Sequence, residues 1–366
     1  MPKQKHTTPT IRDVAELAHT SISTVSRVIN GKANTSPEVT KRIEQAITNL
    51  NYRSNSVARA LKVHSTNTLG LIIPSVENPA FGRLAKSIES TADDCGFSTI
   101  LCNSDGDIEK EIKYIQLLLD KQVDGILFNA IGLRDDRFSI LCNIQTPVLI
   151  IGRKIPGLST ANVTVDNRQG ACSAVLSMLM SGLKRIAFIY GQQESVSAIE
   201  DRFRGYRDAL SRANIPFDKD LIIFTRRISE AGEAAIDELI ERNITFDGIF
   251  ASNDIIALGC LKRLTELGYR VPEKVSIMGF DMIPFSRMSV PQLSTVDSKL
   301  ELLGREAVKT IVEMIHTPHE DIATRIISPE LVPGGTTRCT ENAASASASS
   351  CEDIIEMMLA NDFKIY

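Results

Sequence analysis

Ile11-Arg12-Asp13-Val14-Ala15-Glu16-Leu17-Ala18 opens a stretch, running on to Ala60-Leu61-Lys62, whose periodicity decides what the N-terminal end of this chain is. Apolar residues at 11, 14, 15 and 18 form one helical stripe. Val25, Val28 and Ile29 form a second after a four-residue break, and Val39, Ile43, Ala46, Ile47 and Leu50 form a third. Three short amphipathic helices this close together bury a small common core. The face left outside on the second helix carries Ile22, Ser23, Ser26 and Arg27 with few acids nearby. That is how a helix-turn-helix offers a recognition helix to the DNA major groove.

Charge agrees with this reading. Residues 1–62 carry ten Lys/Arg against four acids, a net of +6, whereas the whole chain is −4 and the remainder is therefore −10. A basic head on an acidic body suits phosphate binding, because each neutralised phosphate releases counterions. The helix ends are also legible. Thr10 with Asp13 three residues on forms an N-terminal cap, and Ser21 or Ser23 starts the second helix. Asn30-Gly31 ends it, and Ser36-Pro37-Glu38 starts the third with a capping serine, a proline at the first helical position and an acid near the positive dipole end. One position breaks the pattern. His19, in Ala18-His19-Thr20-Ser21, stands where a tight turn prefers glycine or asparagine, at a cost of ~1 kcal/mol if its backbone is left-handed.

At this point a resemblance becomes specific. Ile11-Arg12-Asp13-Val14-Ala15, Ser23-Thr24-Val25-Ser26-Arg27-Val28-Ile29-Asn30-Gly31, Leu50-Asn51-Tyr52-Arg53 and Val57-Ala58-Arg59-Ala60-Leu61 occur in order and at matching spacing, and the chain resembles the lactose/galactose repressor family from there through Thr68-Leu69-Gly70-Leu71-Ile72-Ile73-Pro74 to about residue 337. The resemblance implies a homodimer, each headpiece reading half of a near-palindromic operator in double-stranded DNA. It implies DNA contacts from Thr10, Ser21, Ile22, Ser23, Thr24, Ser26, Arg27 and Asn30, with Ile22 against a thymine methyl and Arg27 on a guanine edge or a phosphate. It also implies a hinge at 55–61, in which Asn55, Val57, Ala58 and Leu61 reach the minor groove and Leu61 wedges a base step. About seven residues are too few for a stable isolated helix, so the hinge is expected to fold when two copies meet on DNA.

From Leu69 short apolar runs alternate with helical segments. The runs lie at 69–73, 99–102, 125–128, 148–151, 185–190, 221–224, 248–251 and 275–279, the helices at 81–95, 108–121, 168–180, 201–212, 230–242 and 255–267. This predicts parallel sheets covered on both faces, and about 270 residues of such alternation divide naturally into two subdomains. The expected fold is α/β: an all-α helix-turn-helix headpiece plus a two-subdomain body of parallel sheets like that of periplasmic binding proteins. The boundaries read as 1–53 headpiece, 54–65 hinge and linker, 66–162 with 293–322 first subdomain, 163–292 with 323–340 second, and 341–366 tail. The return of helix 298–316 to the first subdomain is implied by the resemblance alone.

Open parallel sheets bind ligands beyond the carboxyl ends of their strands. The polar residues there, Ser75, Asn78 and Phe81, Arg153, Asp166, Arg202, Asn253 and Asp281, are the expected effector contacts. Arginine, amide and carboxylate groups suit vicinal hydroxyls, which both donate and accept, and Phe81 suits an apolar sugar face. Bland readings stand beside these: Asp254 caps a helix or touches ligand, Asp281 fixes a turn, Arg153 pairs with an acid. By the resemblance, purine-responsive members stack the base between adjacent aromatics near the first strand; here Asn78-Pro79-Ala80-Phe81 has one aromatic and the chain no Trp, which tilts the effector toward a sugar.

Seven cysteines, an odd number without metal-ligand spacing, and five scattered histidines imply no metal, cofactor or catalytic constellation. Met1-Pro2-Lys3-Gln4-Lys5-His6 carries no hydrophobic run, and no segment reaches a membrane span, so a cytoplasmic protein is expected. After Arg338 the chain becomes an Ala/Ser-rich linker followed by a short apolar helix candidate at 352–359, too brief for sustained heptads; a dimer is expected and a tetramer is the alternative. The competing classes are a transporter's solute-binding protein, which would need a signal peptide and no helix-turn-helix, and an enzyme using Asp166 and Asp281, for which no nucleophile-base pair is present. Induction and corepression use the same parts and stay open.

Overall fold

The computed structural model describes residues 9–29, 35–52, 65–129, 141, 144–153, 161–191, 196–225, 228–317 and 323–338. The chain forms two compact units, residues 1–66 and 67–366. The first holds α1 (Ile11–Leu17), α2 (Ile22–Ile29) and α3 (Pro37–Leu50). Val14, Ala15 and Ala18 from the first stripe, Val25 from the second, and Ile43 and Ala46 from the third make its buried core. The expected stripes are therefore the ones that meet.

Local chemistry sets the helix ends. The Asp13 carboxylate accepts from the Thr10 N–H at 2.6 Å and its hydroxyl at 2.8 Å, bonds that hold its pKa below the usual carboxylate value. Ser21, not Ser23, starts α2: its Oγ accepts from Thr24 N at 3.1 Å. Ser36 occupies the cap position of α3, but its side chain makes no capping bond; Pro37 and the Ser36 carbonyl, which accepts from Thr40 N at 3.1 Å, carry the start. His19 is left-handed, with φ +50°, and Thr20 N closes the turn onto Ala15 O at 2.9 Å. The Asn30-Gly31 stop and the hinge residues Asn55, Val57, Ala58 and Leu61 lie outside the described residues, as do 341–366.

The second unit is two parallel sheets and a small antiparallel pair. In chain order its elements are β1 (Thr68–Ile73), α4 (Pro79–Asp94), β2 (Ser98–Asn103), α5 (Ile108–Asp120), β3 (Gly125–Phe128), β4 (Val148–Ile151), β5 (Asn162–Val165) and α6 (Asn167–Met180). There follow β6 (Ile186–Gly191), α7 (Val196–Arg212), β7 (Ile222–Thr225), α8 (Ile228–Glu241), β8 (Gly248–Ala251), α9 (Asp254–Glu266) and β9 (Ser276–Met278). The last elements are α10 (Pro284–Met288), β10 (Thr295–Asp297), α11 (Leu300–His316), β11 (Arg325–Ile327) and β12 (Glu330–Val332). The first sheet runs β11-β5-β4-β3-β1-β2, the second β7-β6-β8-β9, and β10 pairs with β12.

Alternation along each strand builds two layers per sheet. Leu69, Leu71 and Ile73 of β1 pack with Leu84 and Ile88 of α4 and Val308 and Ile311 of α11. Ile72, between them, faces Ile115 and Leu118 of α5. In the second sheet Phe188 and Phe250 meet α6 and α7, while Ile189 and Ile249 meet α8 and α9. Helix α6 is buried from Gly170 to Met180, as a helix apolar on all sides must be. It lies so close to α7 that a Cβ on Gly205 would meet Arg168 O at 2.2 Å.

Sheet membership moves the subdomain borders. β5 and β11 hydrogen-bond into the first sheet, so the first crossing falls after Val165 rather than at 162, and 325–327 belong with the first lobe. Leu293, Val296 and Leu331 join second-lobe cores, so the block 293–322 is split between lobes, with α11 alone fully in the first. Three-residue strands carry no period by which a sequence could assign them.

Two segments of the chain, 283–286 and Thr295, converge on one buried carboxylate. Asp254, wholly buried, accepts from Ile283 N at 2.8 Å, Ser286 Oγ at 2.5 Å and Thr295 Oγ1 at 2.5 Å. Of its two readings, that of a ligand contact is set aside: the carboxylate binds the chain itself. Burial pushes its pKa up to about 7, against the pull of the Ser286 and Thr295 hydroxyls and with help from the Asp281 charge.

Two outcomes follow from these local features. Replacing His19 by glycine should raise headpiece stability by about 0.5–1 kcal/mol, read as slower amide exchange across residues 11–52 of the full chain; unchanged exchange would mean the turn is unstrained. For Asp254, the folded pKa lies above the unfolded one, so the folded state holds the proton more tightly and stability falls as pH rises between about 4 and about 7. Subtracting Asp254→Asn from the wild type in denaturation curves across this window should isolate that slope, at most about 1.4 kcal/mol per pH unit.

Candidate ligand cleft and nucleic-acid interface

On the headpiece, α2 presents the expected surface. Ile22 is 43% exposed, and Ser21, Ser23 and Arg27 are exposed with it. Thr24 and Ser26 are half-buried, and Thr10 is exposed at the start of α1. The Ser21 hydroxyl lies 2.7 Å from Ser23 Oγ and 2.8 Å from Thr24 Oγ1, so three hydroxyls form one donor-acceptor cluster at the N-terminal end of α2. This end carries the positive pole of the helix dipole and suits phosphate or base-edge acceptors.

In the second unit, the carboxyl ends of both parallel sheets open onto a cleft enclosing about 670 Å³, part of it open to solvent. Asn78, Phe81 and Leu84 enter from the start of α4, and Asn129 from the end of β3. Asn167, Arg202, Asn253 and Asp281 enter from the second lobe, with Ser298 and then Leu300 and Leu303 of α11 beside them. Asn78 caps α4 by accepting from Ala80 N at 3.0 Å, and Asn253 caps α9 by accepting from Ile256 N at 2.9 Å. In both, the helix start fixes the side chain that faces the cleft.

Arg202 organises the second-lobe wall. Its Nε donates to Asn167 Oδ1 at 2.9 Å, Nη2 to Asp281 Oδ1 at 2.9 Å, and Nη1 to the Ser252 carbonyl. The guanidinium stacks on Phe280, 3.8 Å from the ring centroid. Ser298 Oγ adds a second bond to Asp281 Oδ1 at 3.0 Å. Both side chains of the pair are only 10% exposed, so the charges cancel in place. Among the described residues, two of the five guanidinium N–H groups and the second Asp281 oxygen take no protein hydrogen bond.

Five of the eight expected contacts therefore line the cleft: Asn78, Phe81, Arg202, Asn253 and Asp281. Three do not. Ser75 is buried and its Oγ accepts from Glu77 N at 3.2 Å, fixing the turn after β1. Asp166 caps α6 by accepting from Gln169 N at 2.9 Å. Arg153 follows the lining residue Gly152 but is not itself in the wall. Asn129, Asn167 and Ser298 were missed by the sequence reading. Asn129 obeys the strand-end rule already applied to its neighbours, and a Cβ on Gly152 would lie 3.6 Å from its Nδ2. Asn167 sits one residue beyond Asp166; nothing local in the sequence marks Ser298.

Among the described residues no group of His, Cys, Asp and Glu could hold a metal ion, and no helix is long and apolar enough to cross a membrane. Residues 10–55 match the family model of bacterial regulatory proteins of the lacI family, and residues 176–337 match a periplasmic binding protein-like domain. The ribose operon repressor of Halalkalibacterium halodurans is 36% identical over 92% of this chain and 99% of its own length. Of solved structures, the lac repressor dimer bound to operator and an anti-inducer superposes with a TM-score of 0.82 at 25% identity, over 91% of this chain and all of that one. A lacI-family regulator from Enterococcus faecium with bound ribose superposes with a TM-score of 0.67 at 26% identity, over 75% of this chain and all of that one. A three-helix headpiece, a two-lobed body and relatives aligned along nearly their whole length agree: the chain belongs to the lacI family and is a DNA-binding transcriptional regulator.

Proposed function

We propose that this protein is a homodimeric repressor whose hold on its operator is released by a neutral monosaccharide of the ribose type in the cleft. The observation that carries the effector class is the chemistry of the wall. Its ionisable groups, among the described lining residues, are Arg202 and Asp281, and these neutralise each other. The remaining polar groups are four amides and the Ser298 hydroxyl, beside Phe81 and three leucines. Amides offer paired donors and acceptors to vicinal hydroxyls, and the ring and aliphatic groups cover a sugar's C–H face. A phosphate would find no uncompensated positive charge among the described lining residues. A relative named for the ribose operon and the ribose-bound neighbour support the choice.

The effector contacts are then Asn78, Phe81, Asn129, Arg202, Asn253 and Asp281. Thr10, Ser21, Ile22, Ser23, Thr24, Ser26 and Arg27 serve DNA, with Asn30 and the hinge residues Asn55, Val57, Ala58 and Leu61 beside them. A single small headpiece binds one half-site weakly, and a dimer supplies the second. Phe285, Met288 and Val290, 50%, 73% and 93% exposed on and just after α10, are apolar side chains that a second copy would cover. Such a regulator works in the cytoplasm without cofactor or catalysis.

Thermal-shift measurements with ribose, other pentoses and hexoses, their phosphates, and purines test the effector class. Stabilisation by neutral sugars alone is expected; stabilisation by purines or sugar phosphates would overturn it. Operator affinity measured with the sugar present should fall by roughly 5–150-fold, and a rise would make the sugar a corepressor. Asn129→Ala should weaken sugar binding by about tenfold, one lost hydrogen-bonded contact, while operator affinity without sugar stays the same. For the hinge, Leu61→Ser should abolish specific operator binding and leave sugar binding intact; wild-type operator affinity in that variant would remove the wedge.

A further inference from the structure

The chain carries Asp281 into the cleft on a turn that its own backbone disfavours. Asp281 has φ +100° and Met282 φ +53°, two consecutive non-glycine residues in a region that costs side-chain-bearing residues energy. Such a turn persists only where its surroundings over-determine it. The Asp281 side chain is held by Arg202 and Ser298. The backbone on either side of it is held elsewhere, and Asp254 is the residue that holds it.

Asp254 lies at the first residue of α9, next to the lining residue Asn253, yet it is fully buried and outside the cleft wall. It grips both flanks of Asp281. On one side its N–H donates to Phe280 O at 2.8 Å. On the other its Oδ2 accepts from Ile283 N at 2.8 Å and Ser286 Oγ at 2.5 Å, and Oδ1 accepts from Thr295 Oγ1 at 2.5 Å. Val296, the residue after Thr295, accepts from Asp281 N at 2.8 Å. The carboxylate reaches this place because residue 279 is glycine: a Cβ there would stand 2.2 Å from Asp254 Oδ1. Three donors from two segments thus share one side chain.

We infer that Asp254 is a positioning residue for effector binding, which touches no ligand and acts by fixing the backbone that aims Asp281 into the cleft. The inference rests on the proposed role of the cleft. Asp254→Ala would leave the Ile283 N–H and the hydroxyls of Ser286 and Thr295 buried without an acceptor, and the turn would relax. Asp254→Asn can keep its carbonyl toward Ile283 and Ser286 and turn its amide to Thr295, whose hydroxyl then accepts. The two variants therefore separate position from charge.

The experiment compares full-length wild type, Asp254→Ala and Asp254→Asn by hydrogen exchange and by calorimetric titration with D-ribose. Alanine should speed exchange at residues 279–288 by about tenfold or more, with α4 and α11 unchanged, and weaken ribose binding by a similar factor. Asparagine should bring both back to within about threefold of wild type. Wild-type protection at 279–288 in the alanine variant would overturn the inference, and so would an equal loss of protection across the whole body. If ribose fails to bind even the wild type, the ribose reading of the cleft falls, while exchange still decides whether Asp254 fixes the backbone at 279–288. Should the alanine variant not fold, Ser286→Ala deletes one of the three donors; faster exchange at 279–288 then supports the inference, and unchanged exchange overturns it.

Discussion

The body of this protein is arranged around a buried charge pair. Arg202 and Asp281 come from α7 and from the turn after β9, and the same guanidinium binds Asn167 at the start of α6 and the carbonyl of Ser252 after β8. Losing one partner of such a pair leaves an unpaired buried charge and typically costs about 3–5 kcal/mol. Four separate chain segments are therefore obliged to meet at one point. That point is the second-lobe wall of the cleft, which the chain's own bonds therefore hold in place. Preorganisation of this kind spares the ligand the cost of ordering the groups that bind it.

The first-lobe wall is made differently. Asn78 and Phe81 are placed by the N-terminal turn of α4, and Asn129 by the end of β3. No charge lies among them. The crossings of the chain between lobes run beside the cleft, at 165–167, 298–300 and 327–330. Ile283 packs in the first-lobe core, while Phe280, three residues earlier, packs in the second. A ligand that touches Asp281 thus touches the segment on which both cores pull. The headpiece depends on less: among its described residues, six buried small and medium apolar side chains, ringed by partly buried ones, hold the three helices. A core that small leaves little stability in reserve.

Much of this was legible residue by residue. The three headpiece stripes, the buried runs of β1, β3, β4, β6 and β8, the cap at Thr10 and the choice of Ser21 or Ser23 at the start of α2 all follow from periodicity and side-chain chemistry over a few positions. The left-handed His19 was visible as a misfit at its place in the turn. The residues that do not line the cleft share a feature. Ser75, Asp166 and Asp254 are polar residues at strand ends, where ligand contacts are sought, but their oxygens accept from backbone and hydroxyl donors of the chain itself. Whether a strand-end oxygen is free depends on donors that folding brings in, in the case of Asp254 from up to 41 residues away.

By itself the sequence determined the kind of protein this is: a basic helix-turn-helix head, an acidic body of parallel sheets, and amide and charged groups at the strand ends. Those features are written in short-range periods and motif spacings, which survive without a fold. Tertiary structure alone decided which strand joins which sheet, because β5, β10, β11 and β12 are too short to show a period and are defined by their partners. It also decided that Arg202 and Asp281 face each other rather than two ligands, and that Asn129 and Ser298 complete the wall. Such pairings are made between residues tens of positions apart, by packing that no local pattern records.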